Sequence, residues 1–322
     1  MNGGVIINTL YIIGNGFDIA HRLDTRYWKL REYIEEKDPD FLMQFEELYD
    51  IHPLDDTEYG YTKTAQEQWN KAVDHNLWSE FEKFIGNPNI TSMLELSTSV
   101  TEGMPTYSIR SHMDIYWERH YGFINKLHNY VKDWIETIDT SNVKIKKKSL
   151  INSSDYFLNF NYTDLLEKVY GIENVLHIHG GVSSISDIEP IMGHCNKSDM
   201  KNHKQWAKDA DEEFKEAEAS VQEAVYNYLN AIYKDTDEQI KFNLSFFNEI
   251  KSVEKIVIIG WSAGEVDIPY LRKIIESVSA DTKWEVYYYD DKAHDSLSKA
   301  LSSEGVIRKN IKYISSNEFW DE

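Results

Sequence analysis

The sequence has only one cysteine, Cys195, among its 322 residues. This excludes an internal disulfide and a four-cysteine zinc module, and it fits the reducing cytosol. Every apolar run is of strand length, and none follows a basic start. We therefore expect neither a membrane span nor a signal peptide. Positive charge is also scarce, because 34 Lys and Arg face 55 Asp and Glu, a net charge of −21. Such a surface repels phosphate backbones and anionic lipids, which disfavours general binding to nucleic acids or membranes.

The chain does contain enough apolar material for a large core, with 41% hydrophobic and 13% aromatic residues,. Short apolar runs typical of buried parallel strands recur along it. They are Val5–Ile13, Tyr156–Asn159, Val175–His177, Lys255–Ile259, Trp284–Tyr289 and, more weakly, Ile311–Ile314,. Helical patterns alternate with these runs and predict an α/β fold, a parallel sheet covered by helices on both faces.

Two helix-rich blocks interrupt this alternation. We predict one domain over residues 1–322, with helical insertions at about 27–142 and 196–251 on the carboxyl edge of the sheet, where open α/β sheets bind ligands,. In the second block an apolar stripe runs from Trp206 through Phe214 to Ile232,. The acidic run Asp209–Glu218 beside it is most simply a solvated helix face.

The first predicted strand ends in Gly14-Asn15-Gly16, and Asp18 follows. Glycines at this point let the backbone approach a diphosphate, and the next helix offers its amide groups. An ordinary tight turn is the alternative, because Ile19 stands where a dinucleotide fingerprint has its third glycine.

Polar residues also follow three later strands. Asn161 comes after the second predicted strand. There its amide is suited to hold a water or a ribose hydroxyl, and the alternative is that Asn161 is an ordinary turn residue,. His179, beside Gly180, is suited to act as a general base. In "IIGWSAGEVD" a strand ends in Gly260, Ser262 follows, and Asp267 begins a helix.

A metal site is a second use for the histidines. His177 and His179 are two positions apart and would project together from a strand, and His194 could join them,. Such a site would suit a metal-dependent nuclease. We expect no metal, because the histidines lack a clear carboxylate partner and the charge of −21 argues against nucleic acid,.

Together these segments resemble the bacterial abortive-infection family AbiH. The resemblance rests on "YIIGNGFDIAHRLDTRY", "LWSEFEKFIG", "LNFNYTDLLE", "HIHG", "MGH" and "IIGWSAGEVDIPYL", which occur in the family's order. Two departures stand out. Arg22-Leu23-Asp24-Thr25 replaces the usual Gly-Leu-Pro-Thr, and Gly260-Trp261-Ser262-Ala263 replaces Gly-His-Ser-Leu.

The same landmarks are distantly similar to sirtuin-type Rossmann-like domains. That similarity implies catalytic roles for Asn161 and His179, with NAD or a related nucleotide as substrate or ligand. Thr163 stands where the sirtuin aspartate is expected. The residues implied to bind the nucleotide are Gly14, Asn15, Gly16, Asp18, Gly260, Ser262 and Asp290.

These resemblances imply a cytoplasmic phage-defence effector that hydrolyses the N-glycosidic bond of NAD or a related nucleotide. The alternative from another class is a nucleotide-sensing module without turnover, which signals through a partner. Both allow a phage-derived trigger and a homo-oligomer. Because Asn161 and His179 follow strand ends, we expect their truncation to cost about 1 kcal/mol of stability or less.

Overall fold

A computed structural model describes residues 8–51, 63–91, 103–151, 153–186 and 188–321. The chain divides into two compact units. The first comprises Met1–Arg26, Lys132–Ile191 and Asp235–Glu322, and the second comprises Tyr27–Val131 and Met192–Lys234. Segments 132–142 and 235–251, assigned above to the insertions, thus belong to the first unit. None of the described helices is long and apolar enough to cross a membrane.

The first unit contains a six-stranded sheet, and all of its strands are parallel. Its strands are β1 (Thr9–Ile13), β2 (Tyr156–Asn159), β3 (Val175–His177), β4 (Lys255–Ile259), β5 (Lys283–Tyr288) and β6 (Ile311–Ser315). The predicted α/β class and parallel sheet are confirmed. Residues 5–7 of the first predicted strand lie outside the described residues.

The helices occur in both units. The first eight are α1 (Asn15–Ala20), α2 (Tyr27–Lys37), α3 (Pro39–Glu47), α4 (Lys63–Asn76), α5 (Phe81–Phe84), α6 (Thr106–Tyr121), α7 (Leu127–Glu136) and α8 (Leu165–Tyr170). The others are α9 (Lys197–Glu212), α10 (Glu216–Ala231), α11 (Thr236–Phe242), α12 (Leu244–Glu249), α13 (Ile268–Ser277), α14 (Asp291–Ser303) and α15 (Ser316–Trp320).

The strand order is β3-β2-β1-β4-β5-β6, the order of dinucleotide-binding Rossmann folds,. After β1 the chain adds β2 and β3 on one side of that strand. It then returns to place β4 on the other side of β1 and adds β5 and β6 beyond it. A crevice outside the carboxyl ends of β1 and β4 is where such sheets bind their ligands. The fold therefore directs attention to the loops after these two strands.

The sheet has one apolar cluster on each face, because successive strand residues point to opposite sides. Ile12 and Ile258 pack in one cluster with Leu271 of α13 and Leu297 of α14. The other cluster joins neighbouring strand residues to α1, α8 and α15; it includes Ile13, Ile259, Phe17, Leu166 and Phe319. Helices on both faces thus fix the strand ends that carry the polar residues.

The second unit has its own core, built around a buried ion pair. Arg31 Nε lies 2.7 Å from Glu46 Oε1, and the indole of Trp78 donates to the same oxygen at 2.8 Å. Rings stack beside this pair, with the centroids of Trp78 and Phe81 4.7 Å apart. Removing one member of such a pair would leave a buried charge uncompensated.

The stripe from Trp206 to Ile232 does not form one buried helix face. α9 ends at Glu212 and α10 begins at Glu216, and the two helices pack against each other. Phe214 lies in the break with a φ of 59° and is 84% exposed, so its predicted place in the stripe was wrong. The positive φ reverses the chain and turns the Phe214 side chain away from the helix faces.

Candidate functional site

The carboxyl ends of five strands are aligned across the sheet. Ile13 pairs with Asn159 and Ile259, Asn159 with His177, and Ile259 with Tyr287. The polar segments that follow these residues therefore begin at one edge of the sheet. That edge is the candidate functional site.

The loops after β1 and β4 contact each other through their backbones. The amide of Gly16 donates to Gly260 O at 2.8 Å, and the amide of Gly14 donates to Ile259 O at 3.2 Å. A Cβ at Gly14 would lie 2.5 Å from Trp261 Cα, and one at Gly260 would lie 2.3 Å from Phe17 N. The glycines are thus required for this close approach. The two donating amides are used within the protein, and a phosphate role for the loop stays a prediction.

Asn15 is exposed and is held by the segment that follows α1. Its Nδ2 donates to Thr25 O at 3.1 Å, and the Thr25 hydroxyl donates back to Asn15 Oδ1. The next residue, Arg26, lies 2.8 Å from Asp24 in an exposed ion pair. Asn15 therefore fixes the position of residues 24–26 beside the glycine loop.

Asn161 connects the loop after β2 to the one after β1. Its Nδ2 donates to Gly14 O at 3.1 Å and to Asp18 Oδ1 at 2.9 Å, while the Thr163 hydroxyl donates to Asp18 Oδ2 at 2.8 Å. Asp18 is 1% exposed and Asn161 is 6% exposed. Thr163, which stands where the sirtuin aspartate is expected, thus has a structural role, because its hydroxyl donates to the buried carboxyl of Asp18.

Burial raises the pKa of Asp18 from 3.8 to about 7, against the lowering effect of the Thr163 and Asn161 hydrogen bonds. Nearby His177 lowers this pKa and Asp164 raises it. A carboxyl whose pKa is higher in the folded state binds its proton more tightly there. The stability that it contributes is fully present below pH 3.8 and is lost as the pH rises to about 7.

We expect Asp18→Asn to remove this pH dependence, because asparagine mimics the protonated carboxyl. From pH 5 to 8 the wild type should lose on the order of 3 kcal/mol relative to the variant. Urea unfolding at both pH values measures this difference. Asp281→Asn, at an exposed position, is the control. Parallel pH profiles for wild type and Asp18→Asn would contradict the assignment.

His177, the last residue of β3, and His179, two residues later, lie on different sides of the sheet edge. His177 Nε2 is 2.7 Å from Glu167 Oε1 of α8, and its Nδ1 is 3.0 Å from Asn161 O. The His179 ring lies 5.4 Å from that of Tyr270 in α13. The expectation that they project together was wrong, because β3 ends at His177 and strand alternation does not extend to His179.

His179 is 4% exposed and lies among aromatic rings and one carboxylate. Its ring is 5.2 Å from that of Phe160, and its Nε2 is 3.7 Å from Asp267 Oδ1. Asp267 Oδ2 accepts the indole hydrogen of Trp261 at 3.1 Å. In the described part of the chain, no three His, Cys, Asp or Glu side chains are arranged to hold a metal ion. The expectation of a metal-free protein stays a prediction.

A cavity of about 570 Å³ opens at the carboxyl ends of β4, β5 and β6 in the first unit. Of the predicted nucleotide-binding residues, Gly16, Gly260 and Ser262 line it. The side chains of Asn161, Asp18 and His179 lie elsewhere at this edge, in the contacts described above. Asp290 Oδ1 accepts from Ala293 N at 2.8 Å and caps α14, whose Ala293 and Leu297 line the cavity.

Other cavity residues were not identified from the sequence. Arg26 and Lys146 are its charged lining residues, and aromatic side chains of β5, the following loop and α15 complete the wall: Tyr287, Tyr288, Tyr289 and Trp320. The Lys146 ammonium lies 5.7 Å from the Trp320 ring centroid. The basic run Lys144–Lys148 was the sequence feature that could have identified Lys146, because basic residues are scarce in this chain.

The comparisons with known proteins identify a family. No curated protein matches the chain. A sequence model described as "Bacteriophage abortive infection AbiH" matches residues 10–288, from β1 to the end of β5. The match covers most of the chain, including the loops after β1, β2 and β4 that form the candidate site. With this coverage, the chain belongs to the AbiH family, and membership supports a role in abortive infection by bacteriophage.

Proposed function

We propose that this AbiH protein binds NAD or a related nucleotide in the cavity and hydrolyses its N-glycosidic bond during abortive infection. The charge of the cavity lining carries the proposal. Although the chain has 55 acidic and 34 basic residues, the lining contains Arg26 and Lys146 and no Asp or Glu. Arg26 is paired with Asp24, which does not line the cavity, so the charge of Lys146 is the one that no carboxylate pairs with in the described residues. A positive charge in the lining of an acidic protein favours an anionic ligand such as a diphosphate.

The other lining groups suit the rest of a nucleotide. Tyr289 is 85% exposed, and its ring with those of Tyr288 and Trp320 offers faces on which a base can stack,. Ser262 and Asn317 offer polar groups for ribose hydroxyls. A volume of about 570 Å³ falls within the range of cofactor sites,. Size, aromatic faces and charge thus support the same ligand class.

In the proposed reaction, water adds to C1′ of the nicotinamide ribose while the carbon–nitrogen bond breaks. Nicotinamide leaves with the bonding electrons, and the products are nicotinamide, ADP-ribose and a proton. The transition state is oxocarbenium-like and requires an oriented water. Asn161 and His179 are the proposed groups for orienting the ribose and taking the proton.

Trp261 lies between the cavity and His179. It lines the cavity, and its ring centroid is 5.0 Å from that of Phe160, which contacts His179. The proposal therefore requires Trp261 to move when the nicotinamide end of the substrate binds. Trp261 replaces the histidine that the resemblance to AbiH leads one to expect, so no catalytic role is assigned to position 261.

Nucleotide sensing without turnover is the second candidate, and one observation favours it. The lining contains neither a carboxylate nor a histidine that could act as an acid or base in the cavity. Incubating the purified protein with NAD and separating the products by chromatography distinguishes the two functions. Release of nicotinamide supports hydrolysis, whereas binding without nicotinamide release supports sensing.

We expect Arg26→Gln and Lys146→Gln each to weaken NAD binding by about three- to tenfold, because each removes one partly screened charge from the site. Lys299→Gln makes the same charge change on α14 at an exposed position that does not line the cavity. Calorimetric titration at low and high salt measures the affinities. If all three variants weaken NAD binding equally, the effect comes from the net charge of the protein, and this would contradict a nucleotide site in the cavity.

A further inference from the structure

A second cavity, of about 240 Å³, lies entirely within the second unit. Its residues come from α6, from the 3₁₀ turn Gly122–Lys126 and from α10. The buried part of its lining includes three aromatic side chains, since Trp117, Tyr121 and Tyr228 are 5%, 8% and 2% exposed. The other buried lining residues are Ile124, Ser220 and Ala224. The ring centroids of Trp117 and Tyr121 are 5.0 Å apart, so two aromatic systems lie side by side.

The exposed part of the lining is acidic and includes Asp114, Glu118 and Glu223. Arg110 lies 2.9 Å from Glu223, but its charge is shared with Asp211, with which it also forms an ion pair, and with nearby Asp114. Asp114 accepts only from the neutral hydroxyl of Ser220, at 2.7 Å, among the hydrogen bonds of the described residues.

Glu118 forms no ion pair within the described part of the chain. Its carboxylate lies over Gly122, where a Cβ would be 2.9 Å from Glu118 Oε1. Both Gly122 and Glu118 line the cavity. The glycine thus leaves room for this carboxylate at the cavity, and the lining keeps a net negative charge.

The indole N–H of Trp117 is a third feature of the cavity wall. It is buried and has no hydrogen-bond acceptor among the described residues. A buried donor without an acceptor is costly, and native structures satisfy nearly all such groups. An oxygen atom of a bound molecule would satisfy it.

We propose that this cavity binds a small organic ammonium ion that also carries a hydroxyl or carbonyl oxygen. Aromatic faces attract organic cations through their quadrupoles, and the carboxylates add attraction at the open side. A hard metal ion is a poorer occupant, because no carboxylate cluster in the described residues is arranged to ligate one,. The site is separate from the proposed nucleotide cavity, and its occupancy does not depend on NAD hydrolysis.

Three probes of similar size test the proposal with the full-length protein. Choline has the charge and the oxygen, tetramethylammonium has the charge alone, and 3,3-dimethylbutan-1-ol is the neutral isostere of choline. We expect choline to bind about tenfold more tightly than the neutral isostere, because only the cation gains the cation–π and carboxylate attraction. Tetramethylammonium should fall between them. Titration calorimetry measures all three affinities.

Variants of the chain locate the site. Glu118→Gln should weaken choline binding by about three- to tenfold, and Trp117→Phe by a similar factor. Glu36→Gln, at an exposed position of α2 in the same unit, makes the same charge change and should leave choline binding unchanged. Thermal unfolding establishes that each variant is folded, and Glu118→Gln remains informative even if Trp117→Phe is unstable.

Three outcomes would overturn the proposal. They are absence of choline binding at tens of millimolar, equal binding of choline and its neutral isostere, and equal effects of Glu118→Gln and Glu36→Gln. An oligolysine peptide that binds where choline does not would reassign the surface to a protein partner, which also overturns a small-molecule site.

Discussion

Gly260→Ala is expected to destabilise the first unit by about 3–5 kcal/mol, since left-handed strain and backbone overlap act together. Gly260 has a φ of +69°, and an added Cβ would lie 2.3 Å from Phe17 N and 2.7 Å from Gly16 C. These are backbone atoms, so the clash can be relieved only by moving the loops after β1 and β4 apart. The wild type avoids this because Gly260 has no side chain.

The control variant Gly305→Ala introduces left-handed backbone strain without a steric overlap. Gly305 has a φ of +89°, but a Cβ added there would have no atom within 4 Å. We expect this control to cost only about 1–2 kcal/mol, the strain of the left-handed backbone alone. Chemical unfolding measures both variants. Equal losses at the two positions would show that the loop–loop approach is not as tight as the contacts indicate.

His179→Phe is expected to lower NAD hydrolysis by about 10²–10⁴-fold while the protein stays folded, because loss of a positioned base has effects of this size. Phenylalanine keeps an aromatic ring beside Phe160 and Tyr270 but cannot transfer a proton. Nicotinamide release measures turnover, and phage protection in cells should fall with it. Calorimetry should find NAD affinity nearly unchanged, since His179 does not line the cavity.

Asn161→Ala is expected to reduce turnover to a similar degree, with a stability loss as well. Its side chain supports Gly14 O and Asp18, and losing both bonds should cost about 2–4 kcal/mol,. The sequence-based expectation of a stability loss of about 1 kcal/mol or less is therefore too low for Asn161, because its side chain is buried and hydrogen-bonded,. If His179→Phe and Asn161→Ala remain folded and keep full turnover and protection, neither residue belongs to the working site.

The sheet could be predicted because each strand is a short apolar run with a polar or glycine end. β2, β3 and β4 occur at their predicted bounds, β5 is shifted by one residue at both ends, and β6 is one residue longer than predicted. Phe214 could not be placed in the same way. Its spacing fits a helix face, but whether the chain continues or reverses there depends on how α9 packs against α10.

The cavity was harder to predict than the strand ends. Arg26 and Lys146 are distant in sequence and lie together only because α1 and the segment before β2 flank the same sheet edge. The hydrogen-bond partners of Asp18 were equally hard to predict from the sequence. Asn161 and Thr163 follow a different strand, and only the pairing of β1 with β2 places them beside that carboxyl.

The pairing of β1 with β4 has a consequence for synthesis of the protein. Thr9 pairs with Lys255, and both segments of the second unit are translated between these strands. A nascent chain that has not reached β4 cannot bring Gly14 and Gly16 against Gly260, and contacts this remote in sequence form slowly. The cavity requires β5 and α15 as well, so it is completed only when translation has passed Trp320. Products truncated before α15 therefore lack part of the wall of this cavity.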